Sequence, residues 1–213
     1  MFIELIDVLR CPNAHEESWL VLSAGRIDGR DVTEGVLGCP VCAAEYPITE
    51  GVARFEHESR NDAVAVSPSE AEALRLAALL DLATPRGYAI VIGTLGGSAP
   101  ALRALTEVPL LLVNPPPGIE MGNGLSAVTI DSDWTTLPLA PSSARAIALD
   151  EATTPRQLLA AVQVVRPPGR ILAPTALALP ESVSALARDD RQWLAERRPA
   201  SRESAIIPLE RRK

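Results

Sequence analysis

Apolar residues fall along this chain in two rhythms. From residue 88 onward, short unbroken runs recur: Tyr88–Ile92, Leu110–Val113, Ala127–Ile130, Ala144–Leu149 and Arg170–Ala173. Runs this short, rich in β-branched residues and leucine and bounded by glycine or proline, predict buried strands. Between them, Ala99–Thr106 and Pro155–Val165 carry helical spacing. An earlier helical face is made by Ala71, Leu74, Ala77, Ala78 and Leu82, with Ser67 as N-cap, Pro68 at the first helical position and an end near Thr84-Pro85. Turns are expected at Asn114-Pro115-Pro116-Pro117-Gly118 and at Arg166-Pro167-Pro168-Gly169. Strands alternating with helices imply an α/β fold with a mostly parallel sheet covered on both faces. Glu181–Glu196 reads as helix or strand, and Ala205–Glu210 as a closing antiparallel strand.

The first part of the chain keeps a different rhythm. Phe2, Ile3, Leu5, Ile6, Val8 and Leu9 form a short amphipathic element, and turn signals follow at Gly25, Gly29 and Gly35. His57 to Pro68 is polar with weak periodicity. The reading is a small domain over residues 1–57, a linker over 58–67 and a larger α/β domain over 68–213.

Composition narrows the classes. The chain has 213 residues, 47% hydrophobic and 22% charged, which is globular. A net charge of −7 and a pI near 5.0 give no general polyanion-binding surface. The basic cluster Arg191, Arg197, Arg198, Arg202 and Arg211 to Lys213 reads as a solvated face or tail. No apolar run approaches the roughly 18 residues that cross a bilayer. The first residues carry Glu4 and Asp7 and no basic stretch, unlike a signal peptide. Three cysteines in that context point to a reducing compartment, and the expected location is cytoplasmic.

The cysteines have metal-ligand spacing. Cys11 and His15 form C-x3-H, a spacer of 23 residues follows, and Cys39 and Cys42 form C-x2-C. Two knuckles offering two ligands each can close a tetrahedral structural zinc site. The alternative is a metal-free arrangement with Cys11 a buried thiol and His15 a surface residue.

Leu9 to Pro12 reads L-x-C-P, and after Cys42 come Tyr46, Pro47, Ile48, Glu50, Gly51 and Val52 in order. Over residues 1–57 the chain resembles the small zinc-ribbon family whose members activate tRNA, ribosomal-RNA and release-factor methyltransferases. It departs at Ala14, where that family has its second cysteine, and at Ala53, where proline is usual. The resemblance implies a zinc ribbon-like β module and a protein partner.

The stretch from Asp131 to Thr175, with its Asp133-x-x-x-Leu-Pro, strand, apolar helix and Arg166-Pro167-Pro168-Gly169 turn, resembles class I S-adenosylmethionine-dependent methyltransferases. This likeness covers residues 68–212. It implies a Rossmann-like, seven-stranded, mostly parallel sheet with a reversed final pair, one strand of which is expected to be reduced because the chain is short there.

Tyr88 to Gly97, YAIVIGTLGG, is then the stretch at which a cofactor would be met: a strand ending in a glycine loop that opens a helix. The resemblance places S-adenosylmethionine against Gly93, Gly96, Gly97, Asn114, Asp133 and Trp134. Two carboxylates of the family's site are absent: none stands near Val91, and Asn114 replaces the acid that takes the ribose hydroxyls. Charge-assisted hydrogen bonds are about twice as strong as neutral ones, so capture is weakened. Leu95 stands at the usual middle glycine. Trp134 is either a stacking plate for adenine or a packed loop aromatic. Asp150 and Glu151, at a strand's C-terminal end, touch a substrate, cap the helix near Pro155 or are plainly solvated. No catalytic nucleophile or acid–base set is arguable. The expectation is a non-catalytic methyltransferase-like protein acting as scaffold or activator through protein contacts or self-association as a dimer. The alternative is an active methyltransferase with an atypical cofactor site.

Overall fold

The computed structural model describes residues 1–56 and 69–199. The expected linker over 58–67, the expected helix start at Ser67-Pro68 and the closing strand Ala205–Glu210 lie outside the described residues.

One sheet runs through the described residues, in the order β1-β2-β3-β4-β7-β6-β5-β8-β9-β11-β10. The first four strands, β1 (Val21–Asp28), β2 (Asp31–Gly38), β3 (Glu45–Thr49) and β4 (Val52–Arg54), form an antiparallel meander. The remaining seven are β5 (Ala89–Ile92), β6 (Leu110–Val113), β7 (Leu125–Thr129), β8 (Ala144–Ala148), β9 (Val165–Pro174), β10 (Val183–Arg188) and β11 (Gln192–Arg197). Strands β7, β6, β5, β8 and β9 are parallel, whereas β11 runs antiparallel to both β9 and β10. This is the mostly parallel Rossmann-like sheet, with a reversed strand in the final pair, that the methyltransferase resemblance implies. No strand of it is reduced: the Glu181–Glu196 region supplies the hairpin β10–β11. The shortness of the chain falls on the connections, because residues 114–124, 130–143 and 175–182 cross without a helix.

The helices are α1 (Glu70–Leu79), α2 (Ala99–Leu105) and α3 (Pro155–Val164). Helix α1 is capped by Ser69, whose Oγ accepts from the Glu72 N–H at 3.3 Å, so the cap lies two residues after the expected Ser67. Helix α3 begins with a reciprocal box: the Gln157 N–H donates to Thr154 Oγ1 and the Thr154 N–H to Gln157 Oε1 at 2.8 Å. The expected turn at 166–169 is a bulge within β9, where Ala144 pairs with Val165 and Ala146 already with Arg170.

Alternation along the buried strands splits the core into two layers. Ala89, Val91, Leu110 and Leu112 face α1 and α2, while Ile90, Ile92, Leu111 and Val113 face the other side. Each fully buried leucine or isoleucine contributes about 1.5–3 kcal/mol. The second side is covered by α3 and by the first residues of the chain. Phe2, Leu5 and Leu9, with the 3-10 turn Ile3–Val8 between them, belong to the same cluster as Tyr88, Ile90 and Leu111. Polar contacts fix this cover: the Phe2 N–H donates to Ser126 Oγ at 2.8 Å, and Arg10 N–H to Pro138 O at 3.0 Å. The meander joins the same sheet through β4, which pairs in parallel with β7 from Val52↔Ala127 to Arg54↔Thr129.

Candidate functional site

In this topology the chain leaves β5 toward β6 on one side and later returns to β8 on the other. The crevice that such sheets offer to ligands therefore lies beyond the C-terminal ends of β5 and β8. Gly93 follows β5, and Asp150 follows β8. The two meet. Gly93 has φ +61°, and a Cβ there would overlap the Asp150 carboxylate. That carboxylate is buried, and its Oδ2 accepts from the Thr94 N–H at 3.0 Å and from Thr94 Oγ1 at 3.3 Å. Its Oδ1 accepts from the Ala152 N–H at 3.2 Å and Thr153 Oγ1 at 3.3 Å. The backbone donor of the glycine loop is thus engaged by the chain's own anion.

The rest of the loop is packed in the same way. Residues 93–98 form a 3-10 turn, with Gly96 and Gly97 buried. A Cβ on Gly96 would come within 3.3 Å of Pro115 and 3.4 Å of Pro116, so the proline run rests on the glycine. Leu95 packs against the α1–α2 layer rather than into the crevice.

Asn114 adopts φ +49° and joins two strand ends. Its N–H donates to Val128 O at 3.0 Å, and its Oδ1 accepts from the Ile130 N–H at 2.8 Å. Trp134 is a core residue of the second layer, and its neighbour Asp133 is exposed. A cleft of about 450 Å³ opens between residues 135–141 and the outer face of α3, with Leu137, Leu139, Leu159 and Val164 in its walls. Residues 93–97 contribute nothing to that lining.

The cysteine–histidine spacing does bring four ligand atoms together. One atom from each of Cys11, His15, Cys39 and Cys42 lies within 4.8 Å of the others. Cys11 Sγ is 3.7 Å from Cys42 Sγ, and Cys39 Sγ is 3.4 Å from His15 Nε2. A tetrahedral ion with Zn–S bonds near 2.3 Å sets its sulfurs about 3.8 Å apart, and a disulfide would need about 2.05 Å. The cysteines are free thiols.

The knuckle is built by the backbone. The Ala43 N–H donates to Cys39 O at 3.0 Å and the Cys39 N–H to Ala44 O at 2.8 Å, with Ala43 at φ +56° closing the turn. N–H groups then face the sulfurs. The Ala44 N–H first, then the Asn13 amide at 3.3 Å, pull the Cys42 thiol down to about 6. Burial raises Cys39, but the N–H groups of Cys42 and Val41 outweigh it and leave the thiol lowered. Burial holds Cys11 above its ordinary value, although the Tyr46 hydroxyl at 3.4 Å opposes the shift. His15 is raised first by the Glu16 carbonyl, which faces Nδ1. A proton held on Nδ1 by that carbonyl leaves the Nε2 lone pair aimed at the sulfurs, the tautomer a metal ligand requires.

No family model matches the chain, and no curated protein matches it. Solved structures overlap it in part. They include the MccD protein (8% identity, TM-score 0.38, 51% of this chain and 54% of that one). A geranyl diphosphate methyltransferase with geranyl diphosphate and sinefungin overlaps at 14% identity, TM-score 0.38, 48% and 43%. Phosphoethanolamine N-methyltransferase 2 of Haemonchus contortus does so at 13% identity, TM-score 0.40, 50% and 29%. The chain spans about half or less of the length of each. The description of the fold rests on its strand order and directions.

Asp150 is the residue whose part sequence reasoning missed. In the sequence it is legible only as a substrate contact, a helix cap or a solvated acid. Its partner Thr94 lies 56 positions away, and only strand order brings the two together. The signal was its place at the end of the strand next to β5.

Proposed function

We propose that this is a non-catalytic methyltransferase-like protein carrying a structural zinc site, and that it acts as a scaffold or activator through protein contacts. One observation carries the reading. The Asp150 carboxylate rests on Gly93 and takes the Thr94 N–H, where a cofactor would use the glycine loop. Pro115 and Pro116 lie against Gly96 beside it. S-adenosylmethionine would have to displace a buried, four-times hydrogen-bonded carboxylate, and Asn114 offers no charge in return.

Cys11, His15, Cys39 and Cys42 would hold the zinc. Four protein ligands leave no open position for water, so the ion would brace the fold and activate nothing. It would join the segment after Leu9 to the β2–β3 turn, and so fix the face that this module presents to a partner.

Calorimetric titration of S-adenosylmethionine into the purified protein tests the reading. No heat of binding up to millimolar cofactor is expected. Micromolar binding overturns it in favour of an active methyltransferase with an atypical site.

A further inference from the structure

We propose that the end of the sheet opposite the Gly93 loop carries a site for a phosphate-bearing anion, formed by Arg86 and Arg166 beside Arg145 and Arg170. Strands β5, β8 and β9 all enter the sheet here. The Arg145 N–H donates to Tyr88 O at 2.9 Å, and Ala146 pairs with Arg170. The Arg166 guanidinium lies over Gly87, so that a Cβ on that glycine would stand 3.6 Å from Nη1.

Two of the four side chains are explained by the fold. Arg170 Nη1 donates to Ala78 O at 3.2 Å and Leu79 O at 2.9 Å, the carbonyls that end α1. Arg145 donates to the carbonyls of Asp81, Thr84 and Arg86 in the turn that follows. Arg86 and Arg166 are not explained in this way: among the described residues neither guanidinium has a hydrogen bond or an ion pair. Among the described residues one carboxylate forms an ion pair with the group: Asp81, 3.7 Å from Arg145 and largely exposed. Four cations with one paired acid make a local excess of positive charge in a chain of net charge −7. The repulsion is felt: burial first, then Arg166, Arg170 and Arg86, hold Arg145 below its ordinary value, with Asp81 opposing.

A bound anion would relieve this repulsion. Two free guanidinium forks beside two fixed ones suit the tetrahedral oxygens of phosphate, which accept paired N–H donors. The excess is local, so it is compatible with an acidic chain that has no general polyanion-binding surface.

The test uses the full chain and two probes at constant ionic strength: inorganic pyrophosphate and a short single-stranded RNA. Thermal unfolding is followed with each, against chloride alone, and affinity is measured by titration. Pyrophosphate is expected to raise Tm beyond chloride. The double variant R86A/R166A, folded by circular dichroism, is expected to lose affinity by about tenfold or more. Tighter binding of the RNA, lost in the same variant, identifies a nucleic-acid backbone as the source of phosphate; tighter binding of pyrophosphate identifies a free anion. Failure of both probes to bind, or binding undiminished in R86A/R166A, overturns the proposal.

Discussion

Gly93 is a glycine because of Asp150. The carboxylate occupies the volume a side chain would need, and the backbone there is left-handed at φ +61°. The glycine loop is used by the chain to bind itself.

Gly93→Ala is therefore expected to destabilise the fold by about 3 kcal/mol or more, combining left-handed strain with displacement of a buried charged acceptor. Asp150→Ala alone is expected to cost about 2–3 kcal/mol. In the Asp150→Ala background, Gly93→Ala should cost only the backbone strain, about 1–2 kcal/mol. Urea unfolding of the four proteins closes this cycle, and strictly additive losses would deny the contact.

Metal analysis of the purified protein is expected to return one zinc per chain. Chelation should lower Tm, and Cys39→Ser should abolish retention, since it removes the buried ligand. His15→Ala is expected to weaken retention and leave the three thiols competent for looser binding. An unchanged zinc content in Cys39→Ser would remove the proposed ligand set.

In metal-free protein the Cys42 thiol, pulled down to about 6, is mostly thiolate at pH 7, while burial keeps Cys11 protonated. The thiolate is the reactive form, so iodoacetamide should label Cys42 first. The labelling rate should hold above pH 7 and fall as the pH drops through about 6. Equal labelling of Cys11 and Cys42 by mass spectrometry would contradict this environment.

Leu5 is fully buried against the sheet. Leu5→Ala is expected to cost about 2–5 kcal/mol and to shift the whole unfolding curve. Tryptophan fluorescence, which includes Trp134 and Trp193 in the core, and far-ultraviolet circular dichroism should report the same midpoint. An early transition confined to one probe would mean that residues 1–9 unfold apart from the Rossmann-like half.

The parts of this fold legible in the sequence are those whose causes are local. Leu110–Val113 was read to the residue because four apolar positions buried on both faces leave an unbroken run. The ligand spacing of Cys39 and Cys42 was equally visible, since a knuckle is a six-residue object in its backbone hydrogen bonds. Long-range substitutions were not. Nothing near Phe2 or Leu9 says that they cover the face left bare by helix-free connections, and nothing near Trp134 decides between a stacking plate and a core ring. The 166–169 segment misled for another reason. Its prolines break a helix as well as they start a bulge, and only the pairing of Arg170 with Ala146 separates the two.

The parallel pairing of β4 with β7 has a consequence for how the molecule can meet others. Without the meander, β7 would be the open border of the Rossmann-like sheet, with its amides and carbonyls ready for a foreign strand. That border is permanently occupied from within. Among the described residues the outermost strands are β1 and β10, at opposite extremes of the eleven, and a partner that extends the sheet would meet one of these two.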